Sequence, residues 1–431
     1  MTLPTGLTLY RLAMAAAGPF LPALLARRAR AGKEDPARSR ERRGLASLPR
    51  PAGRLVWIHG ASVGESLVAL TLAERLTGRD DGIHVLVTSG TRTSANLVAE
   101  RKGARVLHQY VPVDRLDWVR RFLDHWQPDL AVFAESELWP NLVIETARAG
   151  TPMALINARM NEASLKSWRR WRSSARWLLA CFDWIGPADR RTAEGLSALI
   201  GEPLVPVGNL KLEAAPALPD PEKLQAGRPP TASRTAWVAA STHAGEEETL
   251  IAAHAALLRD RPDALLILAP RHPERAGEIA GLLGREGLRF ARRSAGETPD
   301  PGTPVWLADT LGEMALWFVA APAAFIAGSL VDGIGGHNPL EATRAGAAVI
   351  SGPHVASFED VYAAYREHGG VLVADSAEEI AAAVRRIWSG EGPAPEAAAA
   401  ALAALSGGAL DVTLDALEAL LRETPGTEEE S

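Results

Sequence analysis

RLVWIHGASVGE, residues 54–65, is the stretch on which the reading of this chain turns. The apolar run Leu55–Ile58 reads as a buried parallel strand. A glycine-bracketed loop follows, Gly60 to Gly64. Glu65 then arrives as an alanine- and leucine-rich helix begins, SLVALTLAERL. A carboxylate where a strand C-terminus meets a helix N-terminus stands at the crevice where open α/β sheets bind ligands. The competing reading makes Glu65 a first-turn helix acid favoured by the helix dipole. Glycines on both sides of the loop weaken it, because they let a ligand approach the backbone.

The same strand-then-helix rhythm continues outward. Strands are expected at 54–59, 83–88, 130–134, 153–157, 182–186 and 204–207. A second series is expected at 235–240, 264–269, 304–308, 323–327, 347–351 and 370–374. Most are followed by segments of helical composition, which implies parallel sheets with helices on both faces. Between the series, residues 213–235 hold five prolines and few apolar residues, and read as a linker. The fold class is α/β, with two Rossmann-like doubly wound domains facing a cleft. The expected divisions are an N-terminal segment 1–35, a first domain 36–212, the linker, a second domain with closing helices 236–422, and a disordered tail 423–431.

Composition narrows the function. The chain has 431 residues, enough for two separate cores. Its single cysteine, Cys181, excludes an internal disulfide framework and a cysteine-built zinc site. Apolar neighbours make that thiol a buried structural one. Net charge is −6, but residues 1–43 carry nine Lys/Arg against three Asp/Glu. An acidic body with a basic N-terminal arm argues against nucleic-acid binding and suits an anionic membrane surface.

Residues 12–26 are apolar and uncharged, then Arg27, Arg28, Arg30 and Lys33 follow. The run falls short of the roughly 30 Å hydrocarbon core, and Pro19 and Pro22 weaken a straight helix. A signal peptide, a poorly ordered arm and a membrane-associated segment all fit. Flanking positive charge favours the last, with the body in the cytoplasm.

Candidate site residues recur at expected strand ends. WVAASTHAGEEE (237–248) offers Ser241, Thr242 and His243 as donor-phosphate contacts. For that segment alone, an N-cap with Glu246 to Glu248 answering the dipole is the stronger reading. In APRHPER (269–275), Arg271 follows a strand and Pro270 stiffens the loop; a fixed guanidinium suits phosphate or carboxylate. DTLGEM (309–314) turns into a helix at Gly312, or merely caps it through Asp309 or Thr310. In IAGSLVDGIGGHNPLEA (326–342), a glycine-rich loop delivers His337, Asn338 and Pro339, and Glu341 could accept a ribose diol. No GxGxxG or Walker pattern is present. In the first half, FAESELWPNL (133–142) places Glu135 and Glu137 past a strand. They suit proton transfer or stabilisation of a cationic transition state, or one of them pairs structurally with Arg159 or Lys211. Asn157, Arg159, Ser164 and Lys211 add polar groups at further strand ends. No His/Asp/Glu cluster has convincing metal spacing. The helical stretch 165–182 places Trp168, Trp171, Ala175, Leu178 and Phe182 on one face with Arg169, Arg170, Arg172 and Arg176 elsewhere. It fits a lipid surface or a core helix equally.

At these residues the chain resembles the 3-deoxy-D-manno-octulosonic acid (Kdo) transferases of lipid A assembly. The match runs from about residue 40 to 420 through SVGES, ESELWPN, INAR, STHAGEE, APRHPER, DTLGEM, GGHNPLEA and GPH, in order. The stretch LVDGIGGHN is longer before GGHN than in some members. The resemblance implies an inverting, metal-independent glycosyltransferase of the GT-B fold, with no cofactor, that moves Kdo from its substrate CMP-β-Kdo to the tetraacylated lipid A precursor, lipid IVA. It implies Glu65 as general base, with Glu135 and Lys211 stabilising the transition state. CMP contacts would come from Pro270 and Arg271, from Leu311, Gly312 and Glu313, and from Asn338, Pro339, Leu340 and Glu341. The implied place is the cytoplasmic side of the inner membrane, against its phospholipid surface. The alternatives are another nucleotide-sugar transferase or epimerase of the same fold, or a non-catalytic, membrane-attached nucleotide-sugar binding protein.

Overall fold

Alternate residues of Leu55–Ile58 go to opposite faces of one sheet. Leu55 and Trp57 join a core with Phe122, Phe133 and Leu155. Val56 and Ile58 join another with Val68, Leu72 and Val132. A strand buried on both faces must be apolar throughout, as this one is. Trp57 anchors its side, with Phe122 and Phe133 ring centroids at 4.9 and 5.1 Å.

The computed structural model describes residues 3–32, 34–214 and 234–423. The expected linker falls almost wholly outside these residues, as does the expected tail apart from Glu423. The chain divides into two compact units, one up to residue 215 plus the segment from 406, the other 216–405.

The first unit holds six parallel strands: β1 (Arg54–His59), β2 (Ile83–Ser89), β3 (Val106–Tyr110), β4 (Leu130–Ala134), β5 (Met153–Ala158) and β6 (Trp184–Pro187). Their order is β3-β2-β1-β4-β5-β6. The chain moves outward from β1 in one direction, then restarts at β4 in the other. A crevice therefore opens past the carboxyl ends of β1 and β4.

The second unit repeats the plan with β7 (Ala236–Thr242), β8 (Leu265–Pro270), β9 (Phe290–Arg292), β10 (Val305–Leu307), β11 (Ala323–Ile326), β12 (Ala348–Ser351) and β13 (Val371–Val373). The order is β13-β12-β11-β7-β8-β10-β9, again all parallel. Here the direction reverses between β7 and β11.

Four expectations need correction. No strand covers 204–207: Val207 N donates to Pro187 O at 2.8 Å, but this contact does not extend into a ladder. Two strands were not expected. β3 contains His108 and Gln109, polar residues that hide its pattern. Inside, His108 meets Ser89 and Arg38, and the Gln109 carbonyl oxygen accepts from the Trp126 indole. β9 is a three-residue edge strand, too short to show a period. The stretch 165–182 is not one helix; Glu162–Arg170 and Arg172–Leu179 meet at Trp171, whose ψ of 39° breaks the turn. Lastly, the final helix, Ala409–Glu423, belongs to the first unit, not to the second domain. Leu410, Leu414, Leu417 and Leu421 form a helical stripe that packs into the core of Val56 and Ile58.

The N-terminal segment forms helices Thr5–Ala17 and Leu21–Arg30 joined by a 3₁₀ turn. It runs through 26 continuous residues, and its most apolar 18 have a mean hydropathy of 1.4, so it is long and apolar enough to cross a membrane. It is also docked on the first unit. Leu7 enters the core, Tyr10 donates to Asp114 at 2.8 Å, and Arg11 pairs with Glu145. Leu9, Leu12, Phe20 and Leu24 stay exposed.

The placement of the last helix is open to measurement. Leu414→Ala is expected to cost about 2–5 kcal/mol in urea denaturation of the full chain. A loss below about 0.5 kcal/mol, the size of a surface substitution, would show that this leucine is not packed.

Candidate active site

In the first unit, Ser62 is the N-cap of the helix Val63–Arg79, accepting from Glu65 N at 3.3 Å. The Glu65 carboxylate turns back, accepting from Ala61 N at 2.7 Å and from the Ser62 hydroxyl. This is a capping-box variant, reaching the residue before the cap. Glu65 is buried, and Gly60 is required beside it: a Cβ there would lie 2.7 Å from the Glu65 Cβ.

Glu135 follows β4 in the left-handed region, φ 56°. A glutamate there is strained, at a cost of order 1 kcal/mol. Its Oε1 meets Lys211 Nζ at 2.5 Å. Asn157, φ 49°, donates to Glu135 at 3.4 Å and accepts from Leu210 N at 2.9 Å. That second bond fixes the short helix Leu210–Glu213, which carries Lys211. A Cβ on Gly64 would lie 3.1 Å from Lys211 Cε. Strand end, ammonium and the turn that bears Glu65 are thus gathered into one patch. Of the two pairings weighed for Glu135, Lys211 is the one formed; Arg159 instead lies 3.6 Å from Asp189. Ser164 is drawn elsewhere, its amide donating to Asn161, which caps the next helix.

Glu137 completes this group. Its Oε2 lies 3.5 Å from His59 Nε2, an ion-pair contact longer than a good hydrogen bond. It also accepts from the Trp139 indole at 2.6 Å. The buried His59 ring reaches Thr88 Oγ1 at 3.0 Å, and Trp57 donates to the same hydroxyl at 2.9 Å. Burial opposes ionisation of Glu137, but the His59 ring and the indole outweigh it, so its carboxyl titrates below the ordinary value.

In the second unit, the loops after β7 and β11 meet at the reversal point. Ser241, φ 60°, makes a bulge between β7 and β8. His243 stacks on His337, Nε2 to Nε2 2.7 Å. Burial is the main reason both rings titrate below the usual histidine value. Thr242 is wholly buried and donates to Glu247 at 3.0 Å, so its hydroxyl faces the interior and not a phosphate. Pro270 is the buried last residue of β8, and Arg271 beside it is exposed. Leu311 and Gly312 are exposed, whereas the Glu313 carboxylate is taken by Arg293 at 2.6 Å and by Thr310. Asn338 and Glu341 are exposed; Pro339 and Leu340 are buried. Glu246, the N-cap residue of its helix, has a further use, its carboxylate accepting amides of the β11 loop.

The sequence reading missed Ser62, although Ser62 and Glu65 have the spacing of a capping box. It missed His59 too, whose only signal is a polar residue closing an apolar strand.

Two parallel sheets in one chain, each reversing direction beside a cluster of polar strand-end loops, are the architecture of the GT-B fold. In agreement, a glycosyltransferase from Rickettsia africae matches with a TM-score of 0.56 at 11% identity, over 86% of this chain and all of that one. UDP-GlcNAc 2-epimerase from Neisseria meningitidis matches at 0.57 and 14% identity, over 85% of this chain and all of that one. Residues 37–214 match the family model described as 3-Deoxy-D-manno-octulosonic-acid transferase (kdotransferase). The 3-deoxy-D-manno-octulosonic acid transferase of Bordetella pertussis is 35% identical over 96% of this chain and 99% of its own. An Arabidopsis thaliana protein named as a probable mitochondrial transferase of this kind is 34% identical over 83% of this chain and 82% of its own. The chain belongs to the 3-deoxy-D-manno-octulosonic acid transferase family, and is a Kdo transferase.

The His59–Glu137 contact makes stability depend on pH. A depressed folded value means the contribution is present above the unfolded glutamate value and is lost as pH falls through the folded one. Glu137→Gln is expected to cost about 1–3 kcal/mol near neutrality, with the difference shrinking below about pH 4.3. Denaturant titrations at several pH values would expose a pH-independent difference, which would refute the pairing.

Proposed function

We propose that the protein transfers Kdo from CMP-β-Kdo to a hydroxyl of the tetraacylated lipid A precursor, with inversion and without a metal ion or other cofactor. The observation that carries the reading is the patch formed by Glu65, Glu135 and Lys211 at the reversal point of the first sheet. Glu65 accepts the proton of the acceptor hydroxyl. The oxygen then bonds to the anomeric carbon of Kdo as the bond to the CMP phosphate breaks, and CMP leaves with the bonding pair. Inversion follows from attack opposite the leaving group. An oxocarbenium-like centre gains from a nearby carboxylate, the role of Glu135. Lys211 holds that carboxylate in place and supplies the cation that the donor's own carboxylate needs.

The second unit supplies the CMP contacts: Arg271 for the phosphate, and the exposed Leu311, Gly312, Asn338 and Glu341 for the nucleoside. The buried Pro270, Pro339 and Leu340 shape those loops, with Glu313 acting through its backbone. Ser241 and His243 remain candidate phosphate contacts; Thr242 acts as their support. Positive charge from Arg271 and loop amides of the second unit offsets phosphate charge without a metal.

The N-terminal helices fit the cytoplasmic surface of the inner membrane. Leu9, Leu12, Phe20 and Leu24 present an apolar face, and Arg27, Arg28 and Arg30 follow it. Exposed Trp171 adjoins this segment, since a Cβ on Gly6 would touch its ring at 3.0 Å. An amphipathic face with adjoining arginines and a tryptophan suits anionic phospholipid.

Mass analysis of product from CMP-Kdo and the lipid A precursor tests the activity directly. Glu65→Gln is expected to lower kcat by about 10²–10⁴-fold while CMP binding persists; full turnover by that variant removes Glu65 as the base. Chelator should leave the rate unchanged, and CMP should compete with donor better than UDP does. For the membrane reading, Leu12→Glu with Phe20→Glu is expected to release the protein from phosphatidylglycerol vesicles in a flotation assay. Unaltered flotation would place the contact elsewhere.

A further inference from the structure

One carboxylate outside the proposed contacts is among the best satisfied in the molecule. Glu246 has no exposed surface. Its Oε2 accepts from His243 N at 3.0 Å and from Gly328 N at 2.8 Å. Its Oε1 accepts from Ser329 N and Leu330 N, both at 3.0 Å. Four amide hydrogens converge on two oxygens, and they come from two loops far apart in sequence. Burying a carboxylate is expensive unless its acceptor sites are filled by donors. Here they are, and the binding partner is backbone rather than an arginine or lysine.

The amides so held define how the chain leaves β11. Gly328 takes φ 70°, and its carbonyl accepts from Gly336 N at 2.7 Å, which closes the glycine-rich loop. On the other side Ser329 is gripped by the loop after β12: its Oγ accepts from Gly352 N at 2.8 Å and its carbonyl from His354 N at 3.0 Å. The far end of the glycine-rich loop is tied back through His337 to His243. Asn338 and Glu341 follow directly. Glu246 is therefore the central pin of a loop whose next residues are proposed to hold the nucleoside.

We infer that Glu246 is a positioning residue for the donor nucleotide: it touches no substrate, and sets the shape of the 328–338 loop through backbone amides. This rests on the assignment of CMP to the second unit. In Glu246→Gln, an amide nitrogen replaces one oxygen and turns hydrogens toward amide hydrogens, so up to two of the four bonds are lost and the loop must shift. A shorter carboxylate, Glu246→Asp, keeps the acceptor chemistry but cannot span both loops as well.

The test is calorimetric titration of the full-length protein with CMP, alongside steady-state rates with each substrate varied. For Glu246→Gln, the CMP Kd and the KM for CMP-Kdo are expected to rise about tenfold or more. The KM for the lipid acceptor should stay within about twofold. Glu246→Asp should fall between the wild type and Gln. A merely structural role would instead lower the yield of folded protein and leave the affinities of what folds unchanged. Wild-type CMP affinity in folded Glu246→Gln overturns the inference; if that variant does not fold, wild-type affinity in Glu246→Asp does so. Failure of the wild type to bind CMP, or an unchanged Kd in Arg271→Ala, would count against the donor assignment itself and not against the pin.

Discussion

Amides that leave the carboxyl end of a parallel strand have no partner further along the sheet, and this chain meets that demand with carboxylates. Glu65 accepts Ala61 N beyond β1. Asp114 accepts Asn141 N and Leu142 N at the start of the helix that follows Glu137. Glu246 accepts four amides between β7 and β11. Each bond satisfies a group that would otherwise be costly to bury, and each fixes the direction in which a loop departs. The functional loops are shaped by these anions before any substrate arrives.

That constraint links the two units chemically. In the first, a carboxylate at the reversal point remains beside an ammonium, with polar groups gathered around it. In the second, the carboxylate at the corresponding place is spent entirely on backbone. The exposed groups there include a guanidinium, an asparagine and the carboxylate of Glu341. One unit thus presents carboxylates and an ion pair, the other an exposed guanidinium and asparagine. A transfer from a phosphate-bearing sugar to a hydroxyl asks for both sets.

Much of this was legible in the sequence. Strands such as Leu130–Ala134 and Leu265–Pro270 announce themselves because burial on both faces leaves no room for polar residues. Glu65 and Glu135 were legible one by one as polar groups following such runs, whereas Lys211 was singled out behind an expected strand, 204–207, that does not form. The convergence of the three was not legible, because Lys211 arrives on a four-residue helix fixed by Asn157, a tertiary contact across 53 positions. β3 stayed hidden because His108 and Gln109 are buried polar residues with internal partners. Glu246 was read only for its local use for a related reason: an acid at a helix start has an ordinary role there, and only the fold brings Gly328 to it. Positive φ at Glu135 is invisible in the same way, since no residue-type preference marks a strained glutamate.

The last helix has one more consequence. Residues 409–423 pack against β4 and the helix Val63–Arg79 and complete the core that holds Val56 and Ile58, yet they follow every residue of the second unit in the chain. During synthesis the second unit can close its core while the sheet face around Val56 and Ile58 still lacks its cover. The unit that begins first is therefore completed last, and its exposed apolar face in the interim is a surface that invites association until the final turn of chain emerges.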